Sequence, residues 1–196
     1  MKRRPTLWKI AFVAVLLVAF AFGDWIVLGY RALGYPVTPA GQASNVVVRE
    51  GFAYAAMAES GLGVYELESG RLVQTLAPAE AEGSVDDLAL ADGFLFALDA
   101  RIPGALSVYS LGDPRQPRRV SGATPVEVGP FSGVSAAAGR AVVSGGTSRL
   151  TLRRYDREGN LSTEIATADL GRGQPDVLLR PDGGMAAVST HFAGPE

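Results

Sequence analysis

The sequence has no cysteine and a single histidine, His191, among 196 residues. The first absence removes disulfides and thiolate chemistry. The second removes any metal site built from several imidazoles. A Ser-His-Asp arrangement would rest on a residue five positions from the end, so His191 reads as a strand or loop residue. Lysine stops at Lys9, and every later basic residue is arginine, a bias that GC-rich codon use explains more simply than anion recognition. From position 31 onward nineteen Asp and Glu stand against fourteen Arg with no basic block, which excludes the electrostatic footprint of nucleic-acid binding. There is no GxxxxGKS/T loop to cradle phosphate, SGGTS at 144–148 being too generic for that role, and no calcium-loop spacing of carboxylates. RRYDRE at 153–158 mixes both signs around a turn and reads as a solvated face. No catalytic residue, metal ligand, cofactor-binding residue or cofactor is therefore expected.

What is present begins with a basic, then apolar, N-terminus. Lys2, Arg3, Arg4 and Lys9 precede an uninterrupted apolar run over 10–22, and apolar character resumes over 25–30 after Asp24. The run alone is the length of a signal-peptide core, with Ala19 and Ala21 offering a cleavage site. Residues 8–30 as a helix would extend roughly 34 Å, enough to cross a hydrocarbon core of about 30 Å. An uncleaved anchor is the favoured expectation, with Trp8, Trp25 and Tyr30 at the interfaces. The charge asymmetry predicts a cytoplasmic N-terminus and export of the remainder. The expected segments are a basic tail (1–9), a transmembrane anchor or signal (10–30) and an extended, Pro- and Gly-containing linker (31–45).

Beyond the linker the chain is periodic. Gly51, Gly93, Gly139 and Gly184 each precede a strand-like segment, at spacings of 42 to 46 residues, and Tyr65, Tyr109 and Tyr155 keep a similar rhythm in the following segment. Glycine (24) and proline (12) supply many tight turns. Each unit reads as four short antiparallel strands, the first drawn from segments such as VDDLALA, VSAAA and VLLRP. Phe94, Phe96 and Leu98 alternate with Leu95, Ala97 and Asp99, so both faces of such a sheet can pack. A 40–50 residue period with four strands predicts an all-β, β-propeller-like array of about three four-stranded blades and part of a fourth, preceded by one hydrophobic helix. The blades are expected at 46–84, 85–132, 133–174 and, in part, 175–196.

The second unit, with LSVYSLGDPRQPRRV at 106–120, resembles the LVIVD-type repeat of bacterial exported β-propellers. GLGVYELESGRLV in the first unit shares the pattern without the prolines. The third unit is closer to the wider PQQ-like and WD-like repeat, and LLRPDGGMAAVS resembles the hairpin between the first two strands of a blade. The resemblance implies a fold and leaves the ligand open. Propellers close with four to eight blades, so three units and a hairpin would leave an apolar face and an unpaired edge. The expectation is that the sequence belongs to a longer protein; otherwise another chain supplies the missing blades, or a smaller, distorted assembly forms.

Asp86 and Asp87 form a carboxylate pair at the start of the second unit. Asp86, Ser135 and Asp176 read as recurrent polar residues at the entrance of the inner strand, acting as turn acceptors or lining the central channel. The expected function is a membrane-anchored, extracytoplasmic binding or scaffold module whose partners are the membrane and a protein or another envelope component, with no nucleic acid. The bacterial inner membrane is its expected location, the repeat domain being periplasmic or extracellular. The competing reading is the N-terminal half of an exported propeller enzyme, quinoprotein dehydrogenase-like or hydrolase-like, with its decisive residues beyond 196.

Overall fold

The structure is a computed structural model that describes residues 43–190, apart from 79–82, 102, 121, 129–131, 146–148, 165, 170–173 and 183. Described residues are all-β. The first sheet contains β1 (Asn45–Arg49), β2 (Phe52–Ala56), β3 (Leu62–Glu66) and β4 (Leu72–Leu76), hydrogen-bonded in chain order. The second contains β5 (Asp87–Ala91), β6 (Phe94–Asp99), β7 (Gly104–Ser110) and β8 (Arg118–Arg119), with β9 (Thr124–Val126) pairing the other end of β7. The third contains β10 (Gly133–Ala137), β11 (Arg140–Gly145), β12 (Arg149–Arg154) and β13 (Ala166–Asp169). A final hairpin joins β14 (Gln174–Leu179) to β15 (Met185–Thr190). The first strand of each sheet lies against the first strand of the next, β1 beside β5, β5 beside β10 and β10 beside β14. These four are the inner strands of successive blades.

The recurring glycines have a local cause. Glu50 and Gly51, Asp92 and Gly93, and Ala138 and Gly139 form the two-residue turns between first and second strands, all six with positive φ. Both central residues at positive φ define the type I′ turn, whose twist matches that of the flanking strands. Glycine at the second position is therefore what the backbone demands. Between the second and third strands of blade 1, Gly61 (φ 85°) is required twice over, because a β-carbon there would also overlap the Leu76 carbonyl.

Alternation then divides each blade into two packed faces. Phe52, Tyr54, Ala56, Leu62 and Val64 of blade 1 meet Leu88, Leu95, Ala97 and Tyr109 of blade 2. The opposite face of blade 2, with Ala89, Phe94, Phe96, Leu98, Leu106 and Val108, meets Val134, Ala136, Ala141, Val143 and Tyr155 of blade 3. Ala137, Val142 and Leu150 of blade 3 pack with Leu179 of the last hairpin. The core is thus a series of joints between blades, and no sheet has a solvated face of its own at those joints.

Several elements differ from the sequence reading. Tyr65 and Tyr109 share one register position, opposite Ala53 and Leu95, but the residue at that position in blade 3 is Arg153, opposite Ala141. Tyr155 lies two residues further along, on the same face. The outer strand of blade 3 forms at Ala166–Asp169, and upstream of it Leu161 makes a bridge to Tyr155. In blade 2 the Pro-containing segment before β8 forms a turn: Asp113 Oδ1 accepts from Arg115 N (2.9 Å), its carbonyl accepts from Gln116 N (3.1 Å), and Pro117 is buried. The expected basic tail, anchor and linker fall almost wholly outside the described residues, as does His191. Among the described residues no helix is long and apolar enough to cross a membrane.

Candidate functional site

The inner strands position two distinct features, one polar at their N-terminal ends and one apolar at their C-terminal ends. At the polar end the adjacent carboxylates Asp86 and Asp87 diverge, as neighbours on a strand must. Asp86 Oδ1 accepts from Ser84 Oγ (2.9 Å) and Oδ2 from Ala100 N (2.8 Å), while Asp99 Oδ2 accepts from Ser84 N (2.8 Å). Both accept from backbone N–H groups of the facing loop. Asp87 instead reaches across blades: Oδ1 accepts from Asn45 Nδ2 of β1, and Oδ2 accepts from Val134 N of β10 at 2.7 Å. One carboxylate therefore ties three inner strands. Gly133 makes room for it, since a β-carbon there would stand 3.2 Å from Asp87 Oδ2.

Ser135, three residues before its turn, is buried and its Oγ accepts from Leu179 N (2.9 Å), joining blade 3 to the last hairpin. Asp176 lies on β14 with its backbone opposite Val188. The register sets Asp86 six residues before Asp92 of its turn, so its counterpart in blade 3 is Ser132, not Ser135. Asp176 takes the register position of Asp87, because Leu179 N meets Ser135 as Val134 N meets Asp87, one position later on the next strand. Asp86 thus stands just before β5, whereas Ser135 is the central residue of β10.

At the other end a cavity of about 590 Å³ lies along β5, β10 and the end of β14. Its walls are Leu88, Leu90, Ala136 and Leu178, with Ser135 the one hydroxyl and Asp92 and Arg180 at the turns. The polar groups at its rim are engaged. Asp92 Oδ2 accepts from Tyr155 Oη (2.7 Å) and Gly139 N (3.1 Å), and Arg180 Nη2 pairs with Asp182 Oδ2 (2.7 Å). Burial, then the Asp92 carboxylate, pushes the Tyr155 phenol well above its usual range. Among the described residues no three His, Cys, Asp or Glu side chains are placed to hold a metal.

Sequence reading did not single out Asp92, Tyr54 or Arg115, which tie neighbouring blades. Tyr54 Oη donates to the Pro114 carbonyl (3.0 Å), and Arg115 pairs with Glu66 (2.9 Å) while its guanidinium sits 5.6 Å from the Phe52 ring centre. Asp92 had a signal available, its position before Gly93 matching Glu50 before Gly51. Arg153 donates to the Ser162 and Pro125 carbonyls (2.9 and 3.2 Å), so that arginine is spent on backbone.

The Tyr54 phenol is pushed up to about 12 by burial. A tyrosine whose folded pKa exceeds its unfolded value of about 10 stabilises fully below pH 10, and the contribution is lost as pH rises through the folded value. Stability measured by urea unfolding should accordingly fall between about pH 10 and 12, and Tyr54→Phe should flatten that fall. An unchanged slope in the variant would remove Tyr54 as its source.

No protein-family model and no curated protein sequence matches the chain. Solved structures do match. The β-propeller domain of Myceliophteria thermophila Cps50 (Swd1) aligns at TM-score 0.56 and 12% identity over 76% of this chain and 48% of that one. KlAtg21, solved in complex with the coiled coil of AgAtg16, aligns at 0.56 and 10% over 78% and 51%. The computationally designed Ika4 protein aligns at 0.50 and 10% over 80% and 96%. The fold is β-propeller-like, and the chain spans about half the length of the first two structures.

Proposed function

We infer that the protein is a binding or scaffold module, a propeller-like domain tethered to the bacterial inner membrane by residues 10–30 and carried outside the cytoplasm, where it holds a protein or another envelope component. One observation carries the binding reading: the described polar groups along the inner strands hold blades and turns together, and what remains open is an apolar cavity of about 590 Å³. A matched propeller-like structure was solved holding a coiled coil, which supports a protein as the partner. The finer relationship, to LVIVD-type and PQQ-like exported propellers, rests on the DPRQP unit and its blade-like turn. Asp86, Ser135 and Asp176 remain proposed as the polar positions of the channel, with Ser135 lining the cavity.

The reading is tested with a photo-crosslinking residue at Pro181, on the cavity rim, and at exposed Leu67 as control, in the full chain in its own membranes. A discrete adduct from position 181 and none from position 67 is expected. Removing residues 1–39 should release the domain to the soluble fraction with the same adduct. Equal labelling at both positions would overturn the cavity as the binding site. The second reading, the N-terminal half of an exported propeller enzyme, is favoured by the half-length match to two solved chains. Converging His, Asp or Glu residues in a longer native sequence would support it.

A further inference from the structure

The joints between blades 1 and 2 and between blades 2 and 3 repeat one arrangement and differ in what completes it. Phe52 and Phe94 each follow the glycine of a type I′ turn and pack against the next blade. Leu111 N donates to the Gly93 carbonyl and Tyr155 N to the Gly139 carbonyl, so these two hold one register position on successive blades. Four residues further on stand Arg115 and Gly159. At the first joint the Arg115 guanidinium sits 5.6 Å from the Phe52 ring centre and pairs with Glu66 of blade 1 at 2.9 Å. At the second, Gly159 lies against Phe94, where a β-carbon would stand 2.6 Å from the ring, so this position brings no side chain of its own.

What the second joint has instead is a cavity of about 490 Å³, lined by Asp92, Phe94, Gly139, Tyr155, Asp156 and Arg157. Phe94 and Tyr155 meet edge to face, ring centres 6.0 Å apart, and give it an aromatic wall. Asp92 Oδ2 is taken by Tyr155 Oη and Gly139 N, whereas Oδ1 accepts from no donor among the described residues. Asp156 is held in place by the backbone N–H groups of Glu158 and Asn160 and by Asn160 Nδ2. Two carboxylates against the single guanidinium of exposed Arg157 leave the lining negative. A guanidinium suits this combination: it packs on aromatic rings and forks onto carboxylates, whereas an ammonium is a more strongly hydrated point charge.

We propose that this cavity receives an arginine side chain of a protein partner, which repeats from outside the aromatic and carboxylate contacts that Arg115 makes within the chain. The proposal rests on the reading of the chain as a protein-binding module, and adds a second cavity that shares only Asp92 with the one along the inner strands. Arg157 beside it disfavours a run of cations, so the arginine stands alone in its segment.

The probe is the peptide acetyl-Gly-Arg-Gly-amide, titrated into the full chain in mild detergent while the amide signals of Gly139 and Gly159 are followed by nuclear magnetic resonance. Both signals should move, and the citrulline peptide should bind about tenfold more weakly and the lysine peptide about threefold more weakly. Asp92→Asn should weaken the arginine peptide about tenfold, and Arg157→Gln should tighten it about threefold, a gain that unfolding cannot produce. Phe94→Leu should abolish the preference for arginine over lysine. No shift in the wild type, or an equal response to citrulline, overturns the proposal, as does binding that Asp92→Asn and Arg157→Gln both leave unchanged. If the peptide fails while Pro181 still yields its crosslinked adduct, the binding reading stands and this site falls. An arginine response without that adduct supports this site and removes the cavity along the inner strands.

Discussion

Phe96→Ala should destabilise the protein by about 3–5 kcal/mol, the cost of emptying a closed core site of an aromatic ring. Phe96 is fully buried at the joint of blades 2 and 3, its ring centre 4.9 Å from that of Tyr155, with Leu98, Leu106 and Val108 on its own sheet and Val143 across the joint. Those neighbours are anchored in two different sheets, so neither can collapse into the void without breaking its own strand register. Domains of this kind hold roughly 5–15 kcal/mol in total, and the variant would sit near its threshold. Leu67→Ala, at a position 49% exposed, should change stability by no more than about 0.5 kcal/mol. Urea midpoints of the two variants against the wild type decide the matter. A loss below about 1 kcal/mol for Phe96→Ala would mean that the two blades do not share a packed joint.

The same joint explains which features could be read from the chain. Hairpin turns are local, so Gly51, Gly93 and Gly139 marked them without any knowledge of the fold: two adjacent positive φ values demand glycine wherever they occur. The first three inner strands were legible for the same reason, each lying immediately before such a turn. What the sequence could not reveal is which face meets which blade, because in Phe94–Asp99 both faces are buried and a two-residue period carries no direction. Tyrosine rhythm misled by two residues in blade 3 because β11 and β12 are joined by a different connection from β6 and β7, while Tyr155 still falls on the face toward blade 2. Outer strands were least legible: β8 has two exposed residues, and β13 begins only after a turn and a lone bridge. An edge strand with little to bury leaves little pattern to read.

Asp87→Ala should cost roughly 2–4 kcal/mol, more than its exposure suggests, because it strips two donors on two different blades of a charged acceptor. Asn45 Nδ2 and Val134 N both point at this carboxylate, which lies over Gly133. Asp87→Asn separates the contributions: one amide oxygen can serve one donor, so about half the stability should return. The residue beside it gives the comparison. Asp86 binds Ser84 and Ala100 within its own blade, so Asp86→Ala should loosen that loop while leaving exchange at the Val134 amide unchanged. Amide hydrogen exchange reads the difference directly. In Asp87→Ala the Val134 N–H should lose protection together with the β5 and β10 joint, whereas protection inside the β2 and β3 pair should persist. Retained protection at Val134 would show that the inner strands are held by packing alone. Loss of protection would make Asp87 the polar clasp of blades 1, 2 and 3, and would explain why a carboxylate stands at the point where three inner strands converge instead of serving chemistry in the channel.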